Sequence, residues 1–561
     1  MQDFYINLVE YLYENLEKAL DKIFLEEKKE KQNINFLVKA SDEPQFGDFA
    51  TNISMICAKV FKINPLQLAK RITNMLNLDE DYFSHFEIKN PGFINFFLTE
   101  KCYFNGLKYI LEKGENFGKT DFGKGKRVIL EYVSANPTGP MHIGNARGGA
   151  IGDGLAECFS FSGFDVCREF YVNDAGNQIE KFKNSLFLRY KQLYEKDLNF
   201  QMPKDCYLGE DIILHAKNFA KIYKDKYINS SEEEVKKALQ EYALNINIKN
   251  LKQDLLKYKV EYDSWFFESS LYENDEVLKA IDLLKEKGYT YEKDGAVWFN
   301  YIKLGGNKDE VLIRENGIPT YFASDIAYHL NKFKKRKFDF VINIWGADHH
   351  GHVERLKAAL KALGLDVSCF VVVIMQMVRL VKKGQAVKLS KRSGNTISLI
   401  DLLDLIPIDV ARFFFNMKDP NSHFDFDLDL AEEESDNNPV YYVQYAYARI
   451  CGILKKLKEL GYSPSLNANF SLLNSKDELN LIKCILKFAN EIVEVVRSYN
   501  PSKIVKFAVE TASCFHRFYV SCKIKGQAKD LLIARLSLCE AVRLTFKNVF
   551  KILKIKAKEE V

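Results

Sequence analysis

The sequence predicts a multidomain α/β protein, with a parallel sheet in its central domain, a small α+β domain before it and an all-α domain after it. Three observations support this fold class. At 561 residues the chain is too long for one hydrophobic core. A strand–loop–helix–strand unit begins at Arg127. Beyond about Ser398 every segment shows helical periodicity.

The first domain is predicted to span residues 1–110. Apolar side chains recur at helical spacing near the N-terminus, and PLQLAKRITNML continues as a second amphipathic helix. FEIKNPGFINFFLT then predicts two short strands around an Asn-Pro-Gly turn. The first helix is defined by Leu8, Leu12, Leu16, Ala19 and Ile23.

The second domain is predicted to span residues 120–398 and to have a Rossmann-type parallel sheet. RVILEYV is an apolar strand, SANPTGPM a polar loop, HIGNARGGAIGDGLAECF a glycine-rich helix and DVCREFYV a second strand. From about 178 to 260 the composition is Lys/Glu-rich and predicts a helical insertion. Sheet-like sequence returns at AVWFN, VLIRENGIPTYFASDIAYH, FDFVINIWG and FVVVIMQMVRL.

Charge is unevenly distributed along the chain, although the formal net charge is only +4. Residues 441–561 contain 21 basic and 10 acidic side chains, whereas the first 440 residues contain 59 basic and 66 acidic ones. Within the all-helical domain predicted at 399–561, this excess favours a polyanion partner. The alternative is a solvated, lysine-rich helical surface.

The eleven cysteines contain no CxxC pair and no zinc-type spacing, which predicts reduced thiols and no structural zinc. The N-terminal segment is charged throughout and is not a signal peptide. No run approaches about 18 apolar residues, the length expected of a membrane span. We therefore expect a soluble, cytoplasmic protein with no membrane partner.

The strongest chemical motif is SANPTGPMHIGN, which places His142 at the start of a helix after a turn rich in proline and glycine. A helix N-terminus presents free N–H groups and partial positive charge, so it suits a phosphate. Gly144 has no Cβ, which would let a flat ring lie against the backbone. The alternative is a tight turn whose glycines serve packing alone.

A second motif, KLSKRSGN, begins at Lys388 after strand-like sequence. Two lysines flanking Ser390 on a loop can neutralise the charge that develops on a leaving phosphate group. Alone, such a loop is more often a solvated surface. Its position almost 250 residues after the first motif requires the fold to bring the two together.

Together, HIGN and KLSKR resemble the paired HIGH and KMSKS signatures of class I aminoacyl-tRNA synthetases. The wider segments EYVSANPTGPMHIGNARG, IWGADHHGHVERL, YDSWFFESS and VYYVQYAYARI resemble the arginyl-tRNA synthetases, as do QFGDFATN and NPGFINFFL near the N-terminus. Asn145 replaces the second His of the first signature, and Leu389 replaces the Met of the second. Asn can still donate a hydrogen bond to a phosphate.

This resemblance implies ATP-dependent attachment of L-arginine to tRNA(Arg) through an arginyl-adenylate, with Mg²⁺ bound to the ATP. It implies catalytic roles for His142, Asn145, Lys388 and Lys391. The implied ATP-binding residues are Pro137, Thr138, Gly139, His142, Gly144, Asn145, Gly346, Asp348, Lys388, Ser390 and Lys391. The implied arginine-binding residues are Glu131, Ser134, Asn136, His142, Tyr321 and Asp325.

The resemblance also implies that the first domain contacts tRNA and that the last one binds the anticodon. Aromatic and basic side chains suit stacking on unpaired bases, although tyrosines at this spacing also fill helical cores. The implied RNA contacts are Tyr441, Gln444, Tyr445, Arg449, Arg517 and Lys523. Transfer to the tRNA's 2′-hydroxyl, a monomeric state and no obligate protein partner are further expectations.

Three alternatives are less consistent with the sequence. A small-molecule adenylyltransferase with a HIGH-type site would be far shorter. An RNA-binding paralogue without catalysis would be expected to lose His142, Lys388 or Lys391, and all three are present. A cysteinyl-type synthetase would require zinc-spaced cysteines.

Within DHHGH, a metal site is disfavoured because two histidines are adjacent and no further ligand pattern follows.

Overall fold

The computed structural model describes residues 3–41, 43–194, 202–204, 206–224, 226–227, 229–387 and 397–560. Within these ranges it has an antiparallel N-terminal sheet, a five-stranded parallel sheet and a helical C-terminal region. None of the described helices combines the length and apolar character that crossing a membrane requires.

The N-terminal unit packs its first three helices around a four-stranded antiparallel sheet of order β1-β2-β4-β3, and a fourth helix follows the sheet. The five apolar residues predicted to define the first helix are all buried, because their spacing places them on one face. The predicted hairpin is present as β3 and β4. The elements are α1 Phe4–Glu26, β1 Val38–Ala40, β2 Phe49–Thr51, α2 Ile53–Phe61, α3 Pro65–Met75, β3 Phe83–Lys89, β4 Phe93–Leu98 and α4 Glu100–Lys113.

The predicted strand–loop–helix–strand unit opens the parallel sheet, and the predicted helical insertion follows it. The insertion has its own small core, in which Phe182, Phe219 and Leu239 are fully buried. The chain then returns to the sheet through a third parallel strand. These elements are β5 Arg127–Glu131, α5 Ile143–Phe161, β6 Asp165–Val172, α6 Asn177–Lys191, α7 Glu210–Tyr223, α8 Glu232–Lys257 and β7 Ser264–Phe267.

The next elements form a three-stranded antiparallel side sheet and complete the parallel sheet in the order β12-β11-β5-β6-β7. The chain order therefore reverses between β5 and β11. These elements are α9 Ser269–Glu273, α10 Glu276–Glu286, β8 Thr290–Lys293, β9 Ala296–Phe299, β10 Glu310–Ile313, α11 Tyr321–Leu330, β11 Phe340–Gly346, α12 His350–Ala362 and β12 Phe370–Met375. A π-helical turn, Asn331–Lys335, extends α11.

One sheet-like prediction was wrong in part. In VLIRENGIPTYFASDIAYH only Glu310–Ile313 is a strand, and it pairs antiparallel with β9 outside the main sheet. From Tyr321 the chain is helical, because Phe322, Ala323 and Ile326 bury one helical face against the core.

The prediction of continuous helix beyond Ser398 was also wrong at one segment. Phe424–Asp427 is a strand, β15, that pairs in parallel with β13, Val378–Lys382. Its sequence, FDFD, alternates buried phenylalanine with exposed aspartate, which is the two-residue period of a strand. The elements here are β13 Val378–Lys382, β14 Gln385–Ala386, α13 Leu399–Leu405, α14 Ile408–Phe415, β15 and α15 Leu428–Glu432.

The remaining chain is helical, as predicted, and its last helix contacts the central unit. Its helices are α16 Pro439–Glu459, α17 Lys476–Leu486, α18 Phe488–Ser498, α19 Ser502–Ser521 and α20 Lys529–Leu553. The fully buried Arg412 donates to the carbonyl of Leu553 at 2.9 Å and to Asp153 of α5 at 2.6 Å. Lys554 donates to the other oxygen of Asp153 at 2.9 Å. A buried carboxylate on α5 therefore anchors the end of α20.

Glycine is sterically required in the middle of α5, at position 152. A Cβ on Gly152 would lie 2.2 Å from Cγ of the buried Tyr132, whereas a Cβ on Gly154 would lie 3.5 Å from its nearest neighbour, Asn416. Overpacking of this kind typically costs about 1–3 kcal/mol.

We therefore expect Gly152→Ala to lower the thermal unfolding midpoint and Gly154→Ala, on the same helix, to leave it almost unchanged. Scanning calorimetry of both variants and the unmodified chain measures the difference. Equal midpoints for the two variants would contradict close packing of α5 on Tyr132.

Candidate active site

A large cleft opens at the carboxyl ends of the parallel strands, where the strand order reverses between β5 and β11. Open parallel sheets bind ligands at this position. The cleft has a volume of about 2190 Å³. Residues from the loop after β5, from α11 and from the end of β11 line it together. The predicted site residues that line it are Glu131, Ser134, Asn136, Thr138, Gly139, His142, Gly144, Asn145, Tyr321, Asp325, Gly346 and Asp348.

The loop after β5 begins with two consecutive residues in the left-handed region, Val133 at φ 69° and Ser134 at φ 39°. A β-branched residue rarely adopts this conformation, and such strain persists where the surroundings hold it. The hydroxyl of Ser134 donates to Glu131 at 3.2 Å and accepts the N–H of Tyr171 at 3.1 Å. These contacts fix the direction in which the loop leaves the strand.

His142 is the N-cap of α5. Its Nδ1 accepts the N–H of Gly144 at 3.0 Å, and its own N–H donates to Oδ1 of Asn145 at 3.0 Å. Burial lowers the pKa of His142, which favours the neutral ring. Because Nδ1 is an acceptor, the proton of the neutral ring is on Nε2. His142 therefore presents a neutral N–H donor beside the helix N-terminus.

Gly144 has a structural role that the sequence did not indicate. A Cβ at this position would lie 2.9 Å from Cε1 and 3.0 Å from Nδ1 of His142. The missing side chain therefore makes room for the imidazole of the same signature. Room for a nucleotide ring against the backbone, as predicted from the sequence, stays a prediction.

The predicted lysine loop residues Lys388, Ser390 and Lys391 lie outside the described residues, as does Leu389. The flanks of that segment are described, and both reach the cleft. Ile143 donates its N–H to the carbonyl of Ile397 at 3.1 Å, and Leu399 donates to that of Met141 at 2.8 Å. Val387 on the other side also lines the cleft.

Glu131, predicted to bind arginine, is already engaged by the protein. The fully buried Nζ of Lys332 lies 2.7 Å from its Oε2 and 3.2 Å from Oδ1 of Asn343. The Asn343 amide in turn contacts Nε2 of His329 at 2.7 Å. The π-helical turn places Lys332 against the end of β5 and the middle of the adjacent β11. This network neutralises Glu131, which argues against a direct ion pair between Glu131 and a guanidinium.

Asn136, Tyr321 and Asp325 are close together in the cleft. Asn136 donates to the side chain of Gln178 at 3.2 Å, and the N–H of Gln178 donates to the Tyr321 hydroxyl at 3.3 Å. The Asp325 carboxylate lies 2.7 Å from Nε2 of His352. Tyr321 and Asp325 share one face of α11, as their spacing predicted.

Sequence reasoning missed Glu268 as a site residue. It follows β7 and lines the cleft, only 1% exposed, and its Oε1 has no hydrogen-bond partner among the described residues. The pKa of Glu268 is raised to about 7, and burial is the main cause. The negative charge of Asp325 also raises this pKa, whereas a hydrogen bond from Ser324 lowers it. Its position directly after a parallel strand, within YDSWFFESS, was a usable signal.

On the side of the predicted nucleotide site, Pro137 is buried within the loop and is not among the residues that line the cleft, and its carbonyl accepts a hydrogen bond from Asn247 of the insertion. Its predicted contact with ATP stays a prediction. Gly346 ends β11, and the Asp348 carboxylate is largely exposed at the rim.

The predicted RNA-binding residues divide into exposed and buried ones. Gln444 is 2% exposed and donates to the carbonyl of Lys556 at 3.0 Å, which argues against direct RNA contact. Arg449 lies over the rings of Tyr445 and Tyr519, at 4.4 and 4.7 Å from their centroids. Tyr441 is partly buried and donates to Glu434, whereas Arg517 and Lys523 are exposed.

Three family models match the chain. The "Arginyl tRNA synthetase N terminal domain" matches residues 10–98, the "tRNA synthetases class I (R), catalytic domain" residues 107–426 and the "DALR anticodon binding domain" residues 443–561. The fold class predicted from the sequence is thereby confirmed.

Two curated relatives and one solved structure illustrate the similarity. The arginine–tRNA ligase of Caldanaerobacter subterraneus subsp. tengcongensis is 48% identical over 563 residues, 99% of this chain and 100% of that protein. That of Acetivibrio thermocellus is 48% identical over 97% and 94% of the two chains. Thermus thermophilus arginyl-tRNA synthetase shares the fold, with a TM-score of 0.77 at 20% identity over 99% and 100% of the two chains.

The catalytic family model covers more than half of the chain, and relatives at this identity span almost all of it. The structure adds a cleft at the switch point of a parallel sheet, with the first signature at a helix N-terminus beside it. The chain therefore belongs to the arginyl-tRNA synthetases, the class I family with arginine–tRNA ligase activity.

Proposed function

We propose that the cleft holds ATP and L-arginine side by side, and that arginyl-adenylate formed there is transferred to tRNA(Arg). The observation that carries this proposal is the pairing of residues 141–143 with 397–399. This pairing brings one flank of the predicted lysine loop next to His142, on the wall of the same cleft.

Phosphate groups of ATP are proposed to bind at the start of α5. His142 offers its Nε2–H, and Asn145, whose Oδ1 is occupied by the His142 N–H, retains its amide donors. Donors aimed at developing charge stabilise a transition state more than a ground state. Lys388 and Lys391 are proposed, from the sequence, to neutralise the departing pyrophosphate.

Mg²⁺ is proposed to enter with ATP and to be held mainly by its phosphate oxygens. Residues 138–145 contain no carboxylate, so this part of the loop supplies hydrogen-bond donors rather than metal ligands. The ion would supply charge neutralisation on the triphosphate.

The arginine guanidinium is proposed to bind between Glu268 and Asp325. Glu268 has a buried oxygen without a partner, and both carboxylates line the cleft. A guanidinium presents donors in a planar fork that a carboxylate matches with two hydrogen bonds. Tyr321 and Asn136, joined through Gln178, would then face the backbone groups of the amino acid.

The chemistry requires positioning rather than a protein nucleophile. The arginine carboxylate attacks the α-phosphorus of ATP, the bond to the bridging oxygen breaks, and pyrophosphate leaves. The 2′-hydroxyl of the terminal tRNA ribose then attacks the adenylate carbonyl, loses its proton and displaces AMP. The neutral His142 can donate to phosphate oxygen in the first step without carrying a charge.

The exposed part of α16 and α19 is proposed to bind the anticodon loop. Arg449 stacks between two tyrosines, and the ring of His516 lies 4.7 Å from that of Tyr442. Flat rings beside a cation suit unpaired bases. Arg517 and Lys523 would contact phosphates.

The domain limits 1–110, 120–398 and 399–561 also stay a proposal.

Purified protein is expected to charge bulk tRNA with arginine in the presence of ATP and Mg²⁺, and with none of the other nineteen amino acids. A screen with radiolabelled amino acids measures this directly. Charging with lysine in place of arginine would overturn the proposed specificity.

Gly144→Ala is expected to lower kcat for arginylation by roughly 10²-fold, because the added methyl displaces His142 from its N-cap position. His142→Ala should lower kcat to a similar extent. The double variant should be no slower than either single one. Additive losses would show that Gly144 contacts the nucleotide independently of His142.

Arginine binding is expected to weaken as pH falls through about 7, because the Glu268 carboxyl gains a proton there and loses its attraction for a cation. The KM for arginine should therefore rise between about pH 8 and about pH 6. Glu268→Gln should have a high KM at every pH and a flat profile. An unchanged profile in this variant would remove Glu268 from the arginine site.

A further inference from the structure

The helical insertion contacts the signature loop through one buried side chain. Asn247, near the middle of α8, is 8% exposed, and its Nδ2 donates to the carbonyl of Pro137 at 2.8 Å. Pro137 lies within the segment that joins Asn136, on the arginine side, to Thr138 and Gly139, on the ATP side. Asn247 does not line the cleft, so it can act on the reaction only through the loop.

The loop has little other support at this point. Among hydrogen bonds between described residues, the one from Asn247 is the only one that reaches the backbone of residues 135–140. Backbone hydrogen bonds hold the chain on either side of this segment. The N–H of Ser134 donates to the carbonyl of Tyr132, and the N–H of Leu399 donates to the carbonyl of Met141. This bond to the backbone, together with the side-chain bond between Asn136 and Gln178 of the same insertion, therefore holds the middle of the loop.

The orientation of the Asn247 amide is determined by its two neighbours. The Pro137 carbonyl can only accept, so the amide nitrogen must face it. Oδ1 then faces Nε2 of His215 on α7, at 2.8 Å, so that His215 must carry its proton on Nε2. His215 is 7% exposed, and burial lowers its pKa, so its ring is neutral. Its Nδ1 is buried without a partner among the described residues, so His215 has no other side-chain anchor there.

We propose that Asn247, oriented by His215, is a positioning residue for adenylate formation: it holds the Pro137 carbonyl so that Asn136 and His142 keep their relative placement. This inference rests on the proposed roles of those two residues in the cleft. It assigns the insertion a function in catalysis through α7 and α8, in addition to any surface it presents to solvent.

Loss of this hydrogen bond is expected to lower kcat rather than to weaken substrate binding. Asn247 does not line the cleft, and misplacement of reacting groups by about 1 Å can cost up to about 10²-fold in rate. We expect Asn247→Ala to lower kcat for arginylation by roughly tenfold or more, with the KM for tRNA within about twofold of the unmodified chain.

The experiment measures kcat per active site, with active sites titrated by stoichiometric binding of a non-hydrolysable arginyl-adenylate analogue. Asn247→Asp is the decisive variant, because aspartate keeps the size and shape of asparagine but has no N–H to donate to Pro137. Asn245→Ala and Asn250→Ala are matched controls, since both asparagines are exposed on the same helix. The controls should keep kcat within about twofold.

His215→Ala extends the test to the second residue. It should lower kcat less than Asn247→Ala, and the double variant should be no slower than Asn247→Ala alone, because both changes remove one interaction. Additive losses in kcat would contradict orientation of Asn247 by His215.

Two results would overturn the inference. In one, Asn247→Asp retains full kcat per active site, so the hydrogen bond does not matter. In the other, the Asn247 variants lose only thermal stability or active fraction, so the bond merely packs the insertion. Either result would leave the proposed function intact if the unmodified chain charges arginine. Failure of the unmodified chain to charge arginine would instead refute the proposed function.

Discussion

The site depends on a short backbone pairing between two segments that are some 250 residues apart in the chain. Residues 141–143 pair with 397–399, and this contact places the N-cap of α5 beside the segment that follows the second signature. A backbone contact of this kind has a defined direction and register, so it specifies placement more tightly than apolar packing does. The starts of the glycine-rich helix and of α13 therefore lie side by side at the wall of the cleft.

Several carboxylate side chains lie in or beside the cleft near this contact. Glu131 ends β5 at the switch point, where an unpaired carboxylate would be costly, and Lys332, which also donates to Asn343, neutralises it. Glu268 and Asp325 lie on the same cleft without a comparable lysine. Among the carboxylates of the cleft, Glu131 is thus neutralised by the structure, whereas Glu268 and Asp325 are the two proposed to bind a cationic substrate.

Helix α5 links the chemistry to the rest of the molecule. His142 caps its first turn, and in its middle Gly152 packs so closely on Tyr132 that no side chain would fit there. Its buried Asp153 accepts hydrogen bonds from Arg412 and Lys554. Because Arg412 also binds the carbonyl of Leu553, the end of the last helix is joined to the helix that begins at the active site. The insertion contacts the same region from another side through Asn247.

The sequence by itself determined the order of domains, both signatures and the family, because these depend on local periodicity, turn residues and short motifs. It also identified Asn136, Tyr321 and Asp325, which the structure brings together. It missed β15, since four alternating residues between helices are a weak signal, and it misread the start of α11 as sheet-like.

Only the tertiary structure decided which polar residues remain available for ligands. Glu131 and Gln444 are polar residues that the sequence placed in binding sites, yet each is buried against a partner remote in the chain, Lys332 and Lys556. Glu268 was missed for the converse reason, since the burial of its Oε1 without a partner among the described residues is a property of the packed sheet. Hydrogen-bond partners separated by a hundred residues or more follow from the fold, and local sequence patterns do not encode them.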